Sequence, residues 1–101
     1  MGKYLVRGSY TAEGAATLMA DGGTPRVAIA NAAAESVGGS MDCMYFAFGD
    51  VDIYAICDLP DDASATALSL TINASGMVAI TVTPLLTPED VDAAAAKAPS
   101  Y

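Results

Sequence analysis

The side chains that could carry chemistry in this sequence are carboxylates, phenols and guanidinium groups, because none of its 101 residues is histidine. Without an imidazole, a proton-transfer step needs an aspartate or a tyrosine whose pKa is displaced from its ordinary value. Asp52 and Tyr54 share one face of a strand that follows a turn signal. They are therefore the candidate proton-transferring groups.

A binding role would use a slightly larger set around the same strand. Arg7 lies on the first strand, which we expect to be the central strand next to that of Asp52. In one interpretation these two groups orient a ligand, and the hydroxyls of Tyr54 and Tyr10 contact it. In the other interpretation, which we favour, Asp52 caps the hairpin turn and Arg7 satisfies a charge in a dimer interface.

Two further candidates lie at or near the starts of predicted helices. Thr11 stands at a helix N-terminus, where free N–H groups can bind an anion. It is more often simply the N-cap, with Glu13 complementing the helix dipole. Arg26 could receive a ligand carboxylate, although an ion pair with Asp21 or another nearby acid that holds a helix break is the favoured interpretation. The candidate ligand-binding residues are Arg7, Tyr10, Thr11, Arg26, Asp52 and Tyr54.

A set of large apolar side chains could also contribute to a site. The set consists of Met41, Met44, Phe46, Phe48 and Met77. These side chains could line a cavity for a hydrophobic ligand. Residues of these types more often fill a core or an interface, so both interpretations stay open.

Composition narrows the classes of partner. Four lysines and arginines against 12 aspartates and glutamates give a net charge of −8, which disfavours binding to nucleic acids or to membrane surfaces. The same balance predicts an uncharged or cationic apolar ligand, and we expect neither a metal site nor a cofactor. We find no secretion signal and expect Cys43 and Cys57 to be two buried thiols, so we predict a cytoplasmic protein.

The elements that must position these residues follow from hydrophobic periodicity. Alternation predicts strands over residues 3–10, 41–48, 51–58 and 77–83, with a hairpin turn at Gly49–Asp50. Two short helices capped by Thr11 and Thr24 precede the second strand. Another helix lies between Leu59 and Gly76 with Asp61 at its cap position, and Thr87 caps a helical tail over 88–101. This order predicts one α+β domain over 1–101 with ferredoxin-like βαββαβ topology, in which a four-stranded antiparallel sheet carries the helices on one face.

The second face of this sheet predicts an assembly. On the strand from Val51, one face is aliphatic, and the other carries Asp52, Tyr54, Ile56 and Asp58. The helices can cover only the aliphatic face, and the mixed face is more apolar than a solvated sheet face should be. We therefore expect a second copy of the chain to cover it in a homodimer.

Short motifs spread along the chain resemble the GYD-domain family. In chain order they are residues 10–14, Arg26, Gly38–Gly39, residues 49–52 at the hairpin, residues 59–61, Gly76 and residues 86–89. The likeness covers about residues 4–90. The motif that names the family has a tyrosine before the aspartate, where this chain has Val51, so a role for that ring does not carry over.

The resemblance implies a subunit of a dimeric α/β-barrel, and it implies no single activity, because its relatives by fold include cofactor-free monooxygenases, haem-handling proteins and structural dimers. We therefore consider three functions. The first is a homodimer that binds a small apolar ligand in a cavity between the two sheets. The second is a cofactor-independent oxygenase or isomerase that uses Asp52 or Tyr54. The third is a structural or interaction module.

Overall fold

The computed structural model describes residues 1–101, and its elements follow the predicted order. The strands are β1 (Gly2–Tyr10), β2 (Ser40–Phe46), β3 (Ile53–Leu59) and β4 (Val78–Pro84). The helices are α1 (Ala12–Asp21), α2 (Gly23–Ser36), α3 (Asp62–Ala74) and α4 (Pro88–Lys97). The last helix is the predicted tail, and all of its residues are exposed.

The four strands form one antiparallel sheet in the order β2-β3-β1-β4. This order confirms the ferredoxin-like prediction and makes β1 and β3 the central strands. Arg7 of β1 stands opposite Tyr54 of β3 on one side and Thr81 of β4 on the other. The register therefore settles which side chains share each face.

The core lies between the helices and one face of the sheet. Val6 of β1 and Ala55 and Cys57 of β3 are buried there, with Ala34 of α2 and Leu68 of α3 packed in the same cluster. This is the aliphatic face that strand alternation predicts. Only 12 of the 101 residues are buried in the single chain, because many helix positions carry alanine, which covers little surface.

The two longest helices stand over opposite edges of the sheet. α2 packs mainly on β2, and α3 packs mainly on β4. α1 is shorter and lies beside β1 and α2. It ends at Gly22, where a φ of 83° breaks the crossover into two helices, a conformation that glycine adopts without steric cost.

Three helix starts are capped as the sequence predicts. The side chains of Thr11 and Asp61 each accept a hydrogen bond from the backbone N–H three residues further on, at 3.1 and 2.8 Å. The bonds to Asp61 lower the pKa of its carboxyl below the ordinary value. Thr87 and Asp90 form a reciprocal capping box at the start of α4.

Two local predictions about caps and turns are wrong. α2 begins at Gly23 with Gly22 as its N-cap and no side-chain cap, so Thr24 lies inside the helix. The hairpin has no tight turn at Gly49–Asp50. Instead, residues 47–52 form a longer loop, in which the N–H of Ala47 donates to the carbonyl oxygen of Asp52 at 2.7 Å.

The expectation of two buried thiols is correct for Cys57 alone. Cys57 is buried on the helix face, whereas Cys43 is half-buried. An irregularity in β2 between Met41 and Cys43 shifts the register, so that Cys43 pairs with Ile56 and lies on the opposite face. Both thiols are free, and burial raises the pKa of Cys57.

None of the helices combines the length and the apolar character that a membrane crossing requires. The molecule extends 54 Å along its longest axis, against 28 and 22 Å along the other two.

The first turn of α1 touches the start of β4. The N–H of Thr11 donates to the carbonyl oxygen of Met77 at 3.0 Å, and the Thr11 hydroxyl donates to that of Gly76 at 2.9 Å. A Cβ on Gly14 would overlap the Met77 carbonyl oxygen. The close approach of helix and strand therefore requires glycine at position 14.

Replacing Gly14 with alanine should lower the free energy of unfolding by about 1–3 kcal/mol, because the helix and strand backbones must separate. Gly49→Ala is the matched control, since its added Cβ meets no atom within 4 Å, and it should lie within about 1 kcal/mol of wild type. Urea unfolding measures both values. Equal stabilities for Gly14→Ala and wild type would contradict the close approach.

Candidate functional site

A groove of about 310 Å³ runs between α2 and α3 on the helix face of the sheet. Eighteen residues line it, and 15 of them are hydrophobic. They come from both helices and from all four strands. Apolar concavities of this size with few polar groups are the usual form of small-molecule sites.

The groove stays open because small side chains face it. Ala30 and Ala33 of α2 border it on one side, and Ala55 of β3 lies in its floor. Methyl groups cannot reach across a space that leucine or phenylalanine side chains would fill. Leu68 and Ile72 of α3 line only the side of the groove that α3 forms.

Methionines supply the flexible part of the lining. Met41 and Met44 of β2 and Met77, just before β4, all border the groove. Met41 and Met44 also pack against the core cluster, so these methionines serve as core residues and border an open space at the same time. Their unbranched thioethers can adapt to an irregular neighbour. Phe46 and Phe48 do not line the groove, and both are exposed.

The polar part of the groove includes Arg26 and Tyr10. Arg26 is half-buried and is the one charged residue in the lining. The predicted ion pair with Asp21 is wrong, since both ion pairs of the chain are made by Lys3. The positive φ of Gly22 accounts for the helix break without an ion pair. Arg26 makes no ion pair within the chain and lines the groove.

Three factors act on the pKa of the Tyr10 hydroxyl. Burial is the largest, and it raises the pKa of Tyr10 above the ordinary value. The positive charge of Arg26 opposes this rise, whereas the negative charge of Asp52 adds to it. Both charges are thus close enough to act on the Tyr10 hydroxyl.

Asp52 forms hydrogen bonds to the backbone at the end of β1. Its carboxylate oxygen Oδ2 accepts a hydrogen bond from the N–H of Tyr10 at 2.9 Å, and its own N–H donates to the carbonyl oxygen of Gly8 at 2.8 Å. Asp52 therefore caps the end of β1 and does not itself line the groove. It positions Tyr10 at the point where α1 begins.

Thr11 and Arg7 lie elsewhere. The Thr11 hydroxyl both accepts from Gly14 and donates to the start of β4, so its hydrogen-bonding capacity is used within the fold. Arg7 and Tyr54 are cross-strand neighbours on the face of the sheet that no helix covers. The structure thus brings Tyr10 and Arg26 together in the groove, and it brings Arg7 and Tyr54 together on the opposite face.

The uncovered face combines apolar side chains with a local charge cluster. Leu5 stands opposite Ile56, and Tyr45 stands opposite Tyr54. At one end of the face, Lys3 binds the carboxylates of Asp42 and Asp58 at 2.7 and 3.2 Å. These hydrogen bonds raise the pKa of Lys3.

A second depression, of about 200 Å³, lies beside α3 and β4. At its border the buried Tyr4 donates a hydrogen bond of 2.6 Å from its hydroxyl to Oδ1 of Asp62. The bond satisfies the polar groups at this border, and it is the largest cause that raises the pKa of Tyr4 from 10.0 to about 12. The Tyr4 hydroxyl and the Asp62 carboxylate are therefore already paired with each other, and we do not consider this depression a candidate ligand site.

Sequence patterns miss several residues of the groove, including Ala30, Ala33, Ala55 and Cys57. The available signal is the recurrence of alanine along α2, where a helix over a sheet ordinarily presents larger apolar residues. Periodicity assigns these alanines to the helix face. It does not state how far α2 stands from α3.

Comparison with known proteins gives one match. The family model described as GYD domain matches residues 4–95, which is nearly the whole chain. Neither a curated protein nor a solved structure matches the sequence.

The Tyr4–Asp62 bond should make stability fall at alkaline pH. Because the folded-state pKa is raised, the contribution of Tyr4 is complete below about pH 10 and is lost as pH rises towards about 12. Unfolding midpoints of wild type and Tyr4→Phe should therefore differ at neutral pH and converge across that interval. A difference that does not change with pH would refute this role.

Proposed function

This chain belongs to the GYD domain family, and we propose that it binds a small, mainly apolar molecule in the groove between α2 and α3. The observation that carries the proposal is an apolar groove with one unpaired guanidinium and one phenol in its lining. Such a combination binds the body of a ligand through burial and orients it through few polar contacts.

The size of the groove limits the ligand. At the packing density of protein interiors, about 310 Å³ accommodates roughly 10–15 non-hydrogen atoms. A single aromatic or fused bicyclic compound fits this range, and a nucleotide or a long peptide does not.

The proposed site differs in place from the cavity between two sheets that the sequence suggests. The groove lies on the helix face of the sheet, whereas a cavity between two sheets would lie on the opposite face. A cavity between two sheets, and the cytoplasmic location, stay predictions.

We also propose that the uncovered face of the sheet joins two copies of the chain. Support comes from the apolar and aromatic side chains of this face, among them Leu5, Ile56, Tyr45 and Tyr54, of which Tyr45 is 70% exposed. A self-complementary patch of this kind suits a two-fold interface. Arg7 is part of the same face, and in this proposal it satisfies a charge in the interface.

The enzymatic alternative gains no support from the groove. Asp52 faces the backbone of Tyr10, and Tyr54 projects from the opposite face of the sheet, so neither lines the proposed site. The interaction-module alternative depends on the edge strands β2 and β4, and measurements of molecular mass over a range of concentrations distinguish it from a strict dimer.

The five methionines provide a direct test of the groove. In protein labelled with carbon-13 at the methionine methyls, naphthalene-2-carboxamide should shift the signals of Met41, Met44 and Met77, which border the groove. Met1 and Met19 are 74% and 89% exposed and lie outside it, so their signals should stay in place. Shifts confined to Met1 and Met19, or none at millimolar probe, would sink the proposal.

A pair of variants on one helix controls for general effects on α2. Ala30→Phe places a phenyl ring in the groove and should weaken binding of the probe at least tenfold. Ala32→Phe makes the same change at an exposed position that does not line the groove, and it should bind like wild type. Equal losses in both variants would mean that the effect is not specific to the groove.

The proposed dimer predicts a mass of about twice 10.2 kDa in light scattering at micromolar concentration. Ile56→Asp should yield monomers, because it places a charge at the centre of the uncovered face. Leu70→Asp introduces the same charge on α3, where Leu70 is 67% exposed, and should leave the dimer intact. A wild-type mass near 10.2 kDa would exclude the dimer, and masses that grow with concentration would favour an open assembly.

A further inference from the structure

We propose that the ligand of the groove is a small apolar carboxylic acid, bound as its carboxylate with the charged group at Arg26. This inference rests on the proposed function and names the class of molecule that the groove accepts. It reverses the expectation from net charge, which favours an uncharged or cationic ligand.

The first observation is the isolation of Arg26. No acidic side chain lines the groove, and no carboxylate lies within 4.0 Å of the Arg26 guanidinium. The first turn of α2 also contains no acidic residue that could serve as a local counter-ion. A half-buried guanidinium without a counter-ion is complementary to a carboxylate, which it can hold through two parallel N–H bonds.

The second observation is the state of Tyr10. Its backbone N–H is bound by Asp52, whereas its hydroxyl has no hydrogen-bond partner in the chain. A tyrosine phenol is protonated at neutral pH, and burial raises the pKa of this one further, so the group can donate its O–H. Arg26 and Tyr10 together offer donors and no charged acceptor, which is the polarity that an anion requires.

The negative net charge of the chain weakens the preference of the groove for a carboxylate but does not cancel it. Asp52 is the carboxylate whose charge reaches Tyr10, and that carboxylate is engaged with the Tyr10 backbone N–H at 2.9 Å. Acidic groups farther away than the Debye length, about 8 Å at physiological ionic strength, are screened by salt. The direct contact with Arg26 therefore outweighs the net charge of −8.

The rest of the lining determines which chemical groups the ligand can carry besides its carboxylate. Met41, Met44 and Ile72 offer no hydrogen bonds from their side chains, and Ala30 and Ala33 leave the space open. A ligand with several hydroxyl or phosphate groups would leave them unpaired against these walls, which is costly. A compact hydrocarbon with one terminal carboxylate satisfies both parts of the groove.

The test compares naphthalene-2-carboxylate with naphthalene-2-carboxamide, which has the same shape and no charge. Calorimetry on wild type should show the carboxylate binding about tenfold more tightly, as a charge-assisted contact provides. Arg26→Gln should abolish this ratio by weakening the carboxylate and leaving the carboxamide within about twofold. Tyr10→Phe should reduce the ratio several-fold.

Two charge controls separate local contact from long-range attraction. Lys97→Gln removes one positive charge from the exposed α4 helix and should leave the ratio unchanged. Arg7→Gln removes an arginine from the opposite face of the sheet, so a larger loss there than in Arg26→Gln would move the anion site to that face. Either that result, or equal binding of the two probes to wild type, overturns the inference.

The outcomes also separate this inference from the proposed function. If the carboxamide shifts the groove methionines and the carboxylate has no advantage, the groove binds ligands and the carboxylate preference is wrong. If neither probe shifts Met41, Met44 and Met77, the proposed function and the inference both fail.

Discussion

The separation of α2 from α3 is the constraint on which the rest of this structure depends. α2 rests on one edge strand and α3 on the other, so the central strands between them need large side chains to complete the core. The residues that face this space are small: Ala30 and Ala33 of α2 and Ala55 of β3. Their methyl groups leave a groove of about 310 Å³. A small alanine-rich domain thus gives up part of its own core, and a ligand that buries the exposed apolar surface would stabilise the folded state.

The two faces of the sheet are suited to different tasks. The helix face carries the groove, and Arg26 and Tyr10 supply polar groups to its lining. The other face carries apolar and aromatic residues in a pattern that suits contact with a second copy. Asp52 directly precedes β3, and its bond to the Tyr10 N–H holds the end of β1 beside the groove. The same carboxylate that the sequence suggests as a catalytic group therefore acts, in this structure, as a positioning residue.

Much of the fold can be predicted from local patterns, because strand alternation and helix capping are local properties. The order of elements, the aliphatic inner face and the caps at Thr11 and Asp61 agree with the structure. The loop of residues 47–52 differs because the N–H of Asp52 bonds to Gly8 of a distant strand. The start of α2 differs because Gly22 ends α1 and begins α2, which places Thr24 inside the helix. Periodicity likewise places Arg26 on a helix but does not state which charges reach it. The groove itself depends on the lateral spacing of two helices, which no local pattern encodes.

A crystal structure of the chain grown with naphthalene-2-carboxylate tests directly whether the groove binds an apolar acid at Arg26. We expect electron density for the ring system between α2 and α3, with the carboxylate within hydrogen-bonding distance of the Arg26 guanidinium. A structure in which α2 and α3 touch and Met41, Met44 and Met77 fill the space between them would contradict it. Density for the probe only between two facing sheets would contradict it equally and would restore the cavity that the family resemblance suggests.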